Sequence, residues 1–439
     1  MEQKKASGFG FRGWMLIIYQ AIAYITFQCF TQYPLNILAD FYGGSQKVAN
    51  IYSICAVVGI LVQIVLAGIV AKMKRIKLFG AILGAVTLVL AFLVMTLPAG
   101  TGWDISYALI NVLSVLYATF ALGILVGQWF PTRKGVVMGI ATLAFPIANG
   151  LLGPFASAVF AKGFPDIKGA FLPFFIVSVV GWVIGLIFIR DYPEECGAFR
   201  DNDRNMTPEV AKAIMEQEIE NKKTSVWTYL HTIKCKEFWF GTINVALLLS
   251  CSIGLMSQSQ AIITHYTELN YTTVMMLVMI FGMIGSFVLG LLDQKLGTKK
   301  AMIISACLMI IGGVLGLFDN ATALLLAMIF VAMFMGASSN FGVSHAAQYW
   351  RREDFSRIFT LSSPIGSMIS SASPALIAAL LFGTTGYKGH SGAFTFVAIS
   401  GVVALVVMLI HKPSHIKEMD DKYRAAAGKP LDDALVGRK

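Results

Sequence analysis

The stretch Gly290-Leu-Leu-Asp293-Gln-Lys295-Leu-Gly297-Thr-Lys299-Lys300 puts four charges into eleven positions. On both sides of it the charges stop, leaving uncharged windows at 269–292 and 301–318. Ten more such windows lie outward from it: 13–39, 48–71, 78–103, 105–132, 135–161, 169–189, 238–267, 320–350, 358–387 and 389–411. The shortest of the twelve has 18 residues, and a helix needs about 20 apolar residues to cross the hydrocarbon of a bilayer. Hydrocarbon offers no partner to a backbone N–H or C=O, so each window pairs its own as a helix. The alternating ten-residue segments of a β-barrel are absent. The whole chain agrees: 13% of residues are charged and 56% are hydrophobic, against about 25% charged in soluble domains. The mean hydropathy is +0.71. The reading is an all-α membrane protein of twelve transmembrane helices, which excludes soluble enzymes, nucleic-acid binders and secreted disulfide scaffolds.

Orientation follows from the cations. With the N-terminus inside, 30 of the 34 Lys and Arg fall on the inner segments, and the outer loops keep Lys47, Lys162, Lys168 and Lys388. Positive charge is retained on the cytoplasmic side, so both termini and the central loop are expected there, in a plasma (bacterial inner) membrane. The net charge of +10 expresses this bias, and no clustered basic motif points to nucleic acid. The six cysteines show neither a disulfide pattern nor a metal-ligand spacing, and no cofactor is implied. The N-terminal segment runs into a 27-residue uncharged span, too long for a signal-peptide core, so no cleavage is expected.

The chain divides in half: a six-helix bundle over 1–190, a loop over 191–236, a second bundle over 237–411 and a tail over 412–439. Within the loop, Thr207-Pro208-Glu209 reads as the start of a surface helix running to Lys223. The halves repeat. Gly68-Ile-Val-Ala-Lys72-Met-Lys74-Arg75-Ile-Lys77 follows helix 2 as Gly290–Lys300 follows helix 8, at an offset of 222 residues. Internal repetition of this kind is found in transporters whose two bundles surround a midplane site.

Gly290–Lys300 resembles the G-x-L-x-D-x-x-G-x-[RK]-[RK] signature of the major facilitator superfamily. In the first-half copy Ala71 stands in place of the aspartate and Arg75 in place of the second glycine. The resemblance implies two bundles related by a pseudo-two-fold axis, alternating access, and a path lined by helices 1, 4, 7 and 10. It also implies that Asp293 latches the halves at the cytoplasmic face, with Arg133, Lys299, Lys300 and Arg357 as partners. Gln128-Trp-Phe-Pro-Thr-Arg-Lys-Gly135 is similar to a segment of the oxalate/formate exchanger-like and monocarboxylate-transporter-like families, and Arg190-Asp-Tyr-Pro-Glu-Glu-Cys-Gly197 resembles another.

No Asp, Glu, Lys or Arg lies inside any window, so neither a cationic oxalate site nor a membrane carboxylate for proton coupling is expected. What remains is an uncharged polar lining. Gln20, Tyr24, Gln28 and Gln32 recur every fourth residue on helix 1 and form one stripe, flanked by Tyr33. Asn111 and Tyr117 join it from helix 4, Asn244 and Gln258 from helix 7, Ser338 and Asn340 from helix 10, and Ser367 from helix 11. All can exchange hydrogen bonds with a polar solute. Interhelical hydrogen bonding is the alternative role for each, at about 0.6–2 kcal/mol per bond. His265 and His345 are the candidates for proton coupling; His231, His411 and His415, at the window edge or beyond, read as solvent-side. Gly153-Pro154 on helix 5 resembles part of an antiporter motif, although close packing also explains it.

The expectation is a monomeric secondary transporter of a small organic anion of the monocarboxylate kind, working by exchange or facilitated diffusion, with a proton or counter-anion as the possible coupled species. A carrier of larger amphipathic compounds and a non-transporting membrane sensor of the same fold are the alternatives.

Overall fold

The computed structural model describes residues 8–32, 35–70, 75–130, 133–160, 167–205, 225–335, 337–383 and 386–429, with seven further positions between 207 and 220. Among the described residues eleven helices are long and apolar enough to cross a membrane. Helices 1 to 6 are Gly10–Gln32, Ser45–Leu66, Ile76–Thr96, Thr101–Trp129, Val136–Phe160 and Ile167–Phe188. Helices 7 to 9 are Lys236–Ser257, Tyr271–Leu296 and Thr298–Leu315, and helices 11 and 12 are Arg357–Leu381 and Ser391–Ile410. The remaining window, helix 10, is built in two pieces, Ala321–Ala332 and Ser338–Tyr349. Asn320 starts it by accepting the Thr322 and Ala323 N–H groups, two of the donors a helix start leaves open. Large apolar side chains stand exposed along these helices, Val65 at 72% and Phe287 at 69%. In a chain of this class such residues face lipid.

The glycine of the quoted signature has a definite job. Gly297 takes φ +87°, a left-handed conformation that costs other residues, and there helix 8 ends and helix 9 begins one residue later.

Two compact units emerge. The first comprises Met1–Ile214 with Ser257–Ala261 and Asn270–Met276; the second comprises Met215–Met256, Ile262–Leu269 and Leu277–Lys439. In the first, helix 1 packs on helix 6 where Gly181 and Gly185 leave room for Ile22 and Tyr19, and a Cβ at either glycine would collide with its neighbour. Small residues let membrane helices approach this closely. Trp103 stacks on Tyr42 at 3.8 Å and on Tyr107 at 4.8 Å.

The second unit ends in a helix, Pro413–Ala426, within the stretch read as a tail. It covers an apolar cluster of Trp227, Phe238, Trp350 and Ile416. The buried Asp420 accepts from Trp227 Nε1 at 2.9 Å, from Arg351 at 3.2 Å and from Arg424 at 3.1 Å. In the loop, Thr207 Oγ1 accepts the Val210 N–H at 3.4 Å, as a helix cap does, and the described positions between 209 and 220 are helical.

Candidate functional site

The stripe of helix 1 is buried along its length: Gln20, Tyr24, Gln28 and Gln32 are all below 5% exposed. Helix 1 turns from α to π geometry over Gln28–Gln32, and helix 4 does so over Leu116–Ala121. Single π turns interrupt the regular ladder and occur frequently at functional sites. Here each is pinned by a side chain of the other helix. Gln20 Nε2 donates to the Ala118 carbonyl at 2.7 Å, and Tyr107 Oη donates to the Thr31 carbonyl at 2.7 Å. Both pairs of residue numbers add to 138, which fixes an antiparallel register and sets Asn111 level with Phe27 and Gln28.

Asn111 Nδ2 donates to the Tyr107 carbonyl at 2.7 Å. A carbonyl can only accept, so the nitrogen ends of Gln20 and Asn111 are fixed by chemistry and their oxygens point elsewhere. Gln20 Oε1 and Asn111 Oδ1 are buried with no hydrogen-bond partner, as are Gln28 Oε1 and Gln32 Nε2. Gln258, at the break between Lys236–Ser257 and Ser259–Ile263 and grouped with the first unit, has neither amide atom paired. Buried polar groups are rarely left this way.

Other expected lining residues fall differently. Tyr117 fills the notch that Gly84 leaves on helix 3, so its ring belongs to packing. Asn244 Nδ2 donates to the Ala404 carbonyl of helix 12 at 2.8 Å, and its Oδ1, like that of Asn111, is buried with no partner. Ser367 is half-buried on helix 11 and its carbonyl accepts from Ser370. Tyr33 and the side chains of Ser338 and Asn340 lie outside the described residues.

The four expected gating residues each have partners in their own unit. Asp293 accepts from Thr298 Oγ1 at 2.6 Å and Ser344 Oγ at 2.5 Å. Lys299 Nζ donates to the His411 carbonyl at 2.6 Å, and Arg357 donates to the Trp227 carbonyl and to Ser225 Oγ. In the first unit Arg133 donates to the Gly8 carbonyl at 2.8 Å and lies over the Phe9 ring, while its N–H meets Asp201. Trp129 Nε1 donates to the Arg190 carbonyl at 3.0 Å, so the two segments resembling organic-anion carriers are in contact. Beside them opens a cleft of about 790 Å³, lined among others by Phe9, Arg12, Phe130, Phe199 and Arg204. It lies about 15 Å along helix 1 from Gln20, at 1.5 Å per residue.

The histidine expectations need correction. His265 is exposed in a turn that follows Ser259–Ile263, because helix 7 stops short of the end of its window. It packs on the ring of Tyr387 at 5.0 Å. His411, read as solvent-side, is buried and its Nε2 lies 3.1 Å from that of His345. Glu237 is also buried, one residue outside the window of helix 7. Both were missed because charge-free windows report what lipid tolerates, whereas these groups are covered by the chain itself where it leaves helix 12.

The described residues thus form a multi-pass helical protein with buried, unpaired polar atoms along its helices. The Major Facilitator Superfamily family model matches residues 238–435. Three solved transporters share the fold. They are the nucleoside transporter NupG (TM-score 0.65, 11% identity, covering 91% of this chain and 99% of that one), a bacterial homologue of the human lysosomal transporter Spinster, inward-facing (0.57, 14%, 98% and 100%), and a bacterial homologue of the human drug peptide transporters PepT1 and PepT2 (0.59, 15%, 93% and 97%). No curated protein matches in sequence. The family match thus covers the second half of the chain, and the likeness of the whole chain to these structures is one of fold.

Proposed function

We propose that this transporter carries a small polar organic solute that donates hydrogen bonds, and that it does so by exchange or facilitated diffusion. The observation that supports this is the fixed pair of acceptors, Gln20 Oε1 and Asn111 Oδ1, buried and unpaired in the first unit. An unmade bond of this kind costs about 1–3 kcal/mol, which a bound hydroxyl or amide N–H would recover. Gln28 at the level of Asn111 and Gln258 add adaptable amides. Along helix 1 the acceptors span about 12 Å, eight residues at 1.5 Å each, the length of a small metabolite. Within that class, the likeness of Gln128–Gly135 to organic-anion carriers favours a hydroxylated monocarboxylate, held as a monoanion by amide and hydroxyl groups. Both termini lie in the cytoplasm of a plasma or bacterial inner membrane, the carrier acts as a monomer, and a counter-anion or a proton accompanies the solute.

The test is uptake by the purified protein in proteoliposomes, using labelled hydroxylated monocarboxylates, simple monocarboxylates, nucleosides and bile acids. Exchange of the small hydroxylated compounds is expected. Exchange restricted to the bile acids would favour a carrier of large amphipathic solutes instead.

A further inference from the structure

At the basic end of the second unit, helices 7, 10 and 12 gather titratable groups. Glu237, His345 and His411 are buried. His345 Nε2 and His411 Nε2 are 3.1 Å apart, and His411 Nε2 is 3.9 Å from Glu237 Oε2, which accepts the Lys412 backbone N–H at 3.0 Å. His411 Nδ1 has no partner. Gly241, one turn beyond Glu237, leaves the space the His345 ring fills. Other groups face the cluster: His415 Nδ1 is 3.7 Å from Glu237 Oε1, and Lys299 from helix 9 binds the His411 carbonyl. Lys236 bears on Glu237 and Asp293 on Tyr349. The rings of Tyr349 and Trp350 flank the histidines. Among the described residues no three such groups are placed to hold a metal.

We propose that Glu237, His411 and His345 form a one-proton switch, in which a proton taken up by His411 moves its hydrogen bond from His345 to Glu237 and frees helix 10 from the end of helix 12. Two facing ring nitrogens hold one proton between them. The carboxylate beside His411 Nε2 repels a bare lone pair and attracts an N–H. So the proton sits on His411 Nε2, and His345 accepts it as the Nδ1–H tautomer. Acid delivers a second proton from water to the unpaired His411 Nδ1. The ring becomes an imidazolium, and its Nε2–H turns to the carboxylate, where a charge-assisted bond is stronger. No other bond forms or breaks.

Burial, and secondarily the charge of Lys299, push His411 down to about 4 in the closed contact, whereas pairing with the Glu237 carboxylate after the switch favours the charged ring and raises it. A group whose pKa is depressed in the closed contact holds it fully above that higher value. The contact is lost as the pH falls through that higher value towards about 4.

This switch goes beyond the solute reading and is independent of which solute crosses. Its test is nitrogen NMR of histidine-labelled full-length protein in lipid nanodiscs, with signals assigned by single His→Gln variants. At pH 7.5 His411 should appear as the Nε2–H tautomer and His345 as the Nδ1–H tautomer, with His411 titrating at least one pH unit below a free imidazole. Glu237→Gln should abolish the tautomer preference. Should that variant not fold, Gly241→Ala, which intrudes on the His345 ring, should raise the titration of His411. Free-imidazole titration of both histidines, an unchanged tautomer in Glu237→Gln, or an unmoved His411 in Gly241→Ala would each overturn the proposal.

Discussion

Gln20 on helix 1 donates its side-chain N–H to the carbonyl of Ala118, 2.7 Å away inside the π turn of helix 4. That bond holds the glutamine oxygen in a fixed direction with nothing to accept from. One residue thus serves two purposes, and they separate by mutation. Gln20→Leu leaves the Ala118 carbonyl without its donor and should cost about 1–3 kcal/mol of stability as well as transport. Gln28→Leu removes an unpaired acceptor, should leave the melting temperature in detergent unchanged, and should slow uptake about tenfold, the equivalent of about 1.4 kcal/mol. Wild-type kinetics in Gln28→Leu would remove helix 1 from the site.

Gly153 packs against the phenol of Tyr271, both within the first unit, and a Cβ there would meet the Tyr271 oxygen first. Gly153→Ala is therefore expected to destabilise by about 1–3 kcal/mol, the cost of overpacking. Because the collision is with the hydroxyl, adding Tyr271→Phe should recover part of the loss. A melting curve of the double variant no better than that of the single one would show that the contact is elsewhere.

Asp293 is held by the hydroxyls of Thr298 and Ser344, so Asp293→Asn keeps its shape and loses its charge. If that charge biases a two-state carrier, turnover should fall about tenfold with little change in KM, since about 1.4 kcal/mol is enough to shift such an equilibrium tenfold. An unchanged kcat would show that Asp293 only ties helix 8 to helices 9 and 10.

Asp420 joins the C-terminal helix to Trp227, Arg351 and Arg424. Asp420→Asn leaves two partly buried guanidinium groups without their carboxylate and should cost about 3 kcal/mol. Limited proteolysis should then release Pro413–Ala426 before any span is cut. Equal resistance of the variant and wild type would contradict the docking role.

The spans were legible in the sequence because charge is excluded from lipid at a cost of about 2.5–3.5 kcal/mol per residue; Lys77, Asp293 and Arg351 mark their ends directly. The helix 1 stripe was legible because amides four residues apart share a face. Its π turns were not, since nothing in Gln28-Cys-Phe-Thr-Gln32 distinguishes them from an α turn. Tyr117 shows a second limit. A polar residue at the right depth can turn to a neighbouring helix as easily as to a path, and only its neighbours, here the Gly84 notch, decide between the two. Asp420 and His411 show a third, because their burial depends on a helix formed by residues that read as a solvated tail.

The most direct test compares two solutes that differ by one hydroxyl, lactate and propionate, exchanged by the purified protein in proteoliposomes at one pH with equal solute on both sides. If the fixed oxygens of Gln20 and Asn111 read hydrogen-bond donors on the solute, lactate should exchange about tenfold faster or more, as one recovered hydrogen bond of about 1.4 kcal/mol requires. The difference should shrink in Asn111→Leu. Equal exchange of the two solutes, or faster exchange of propionate, would contradict the account.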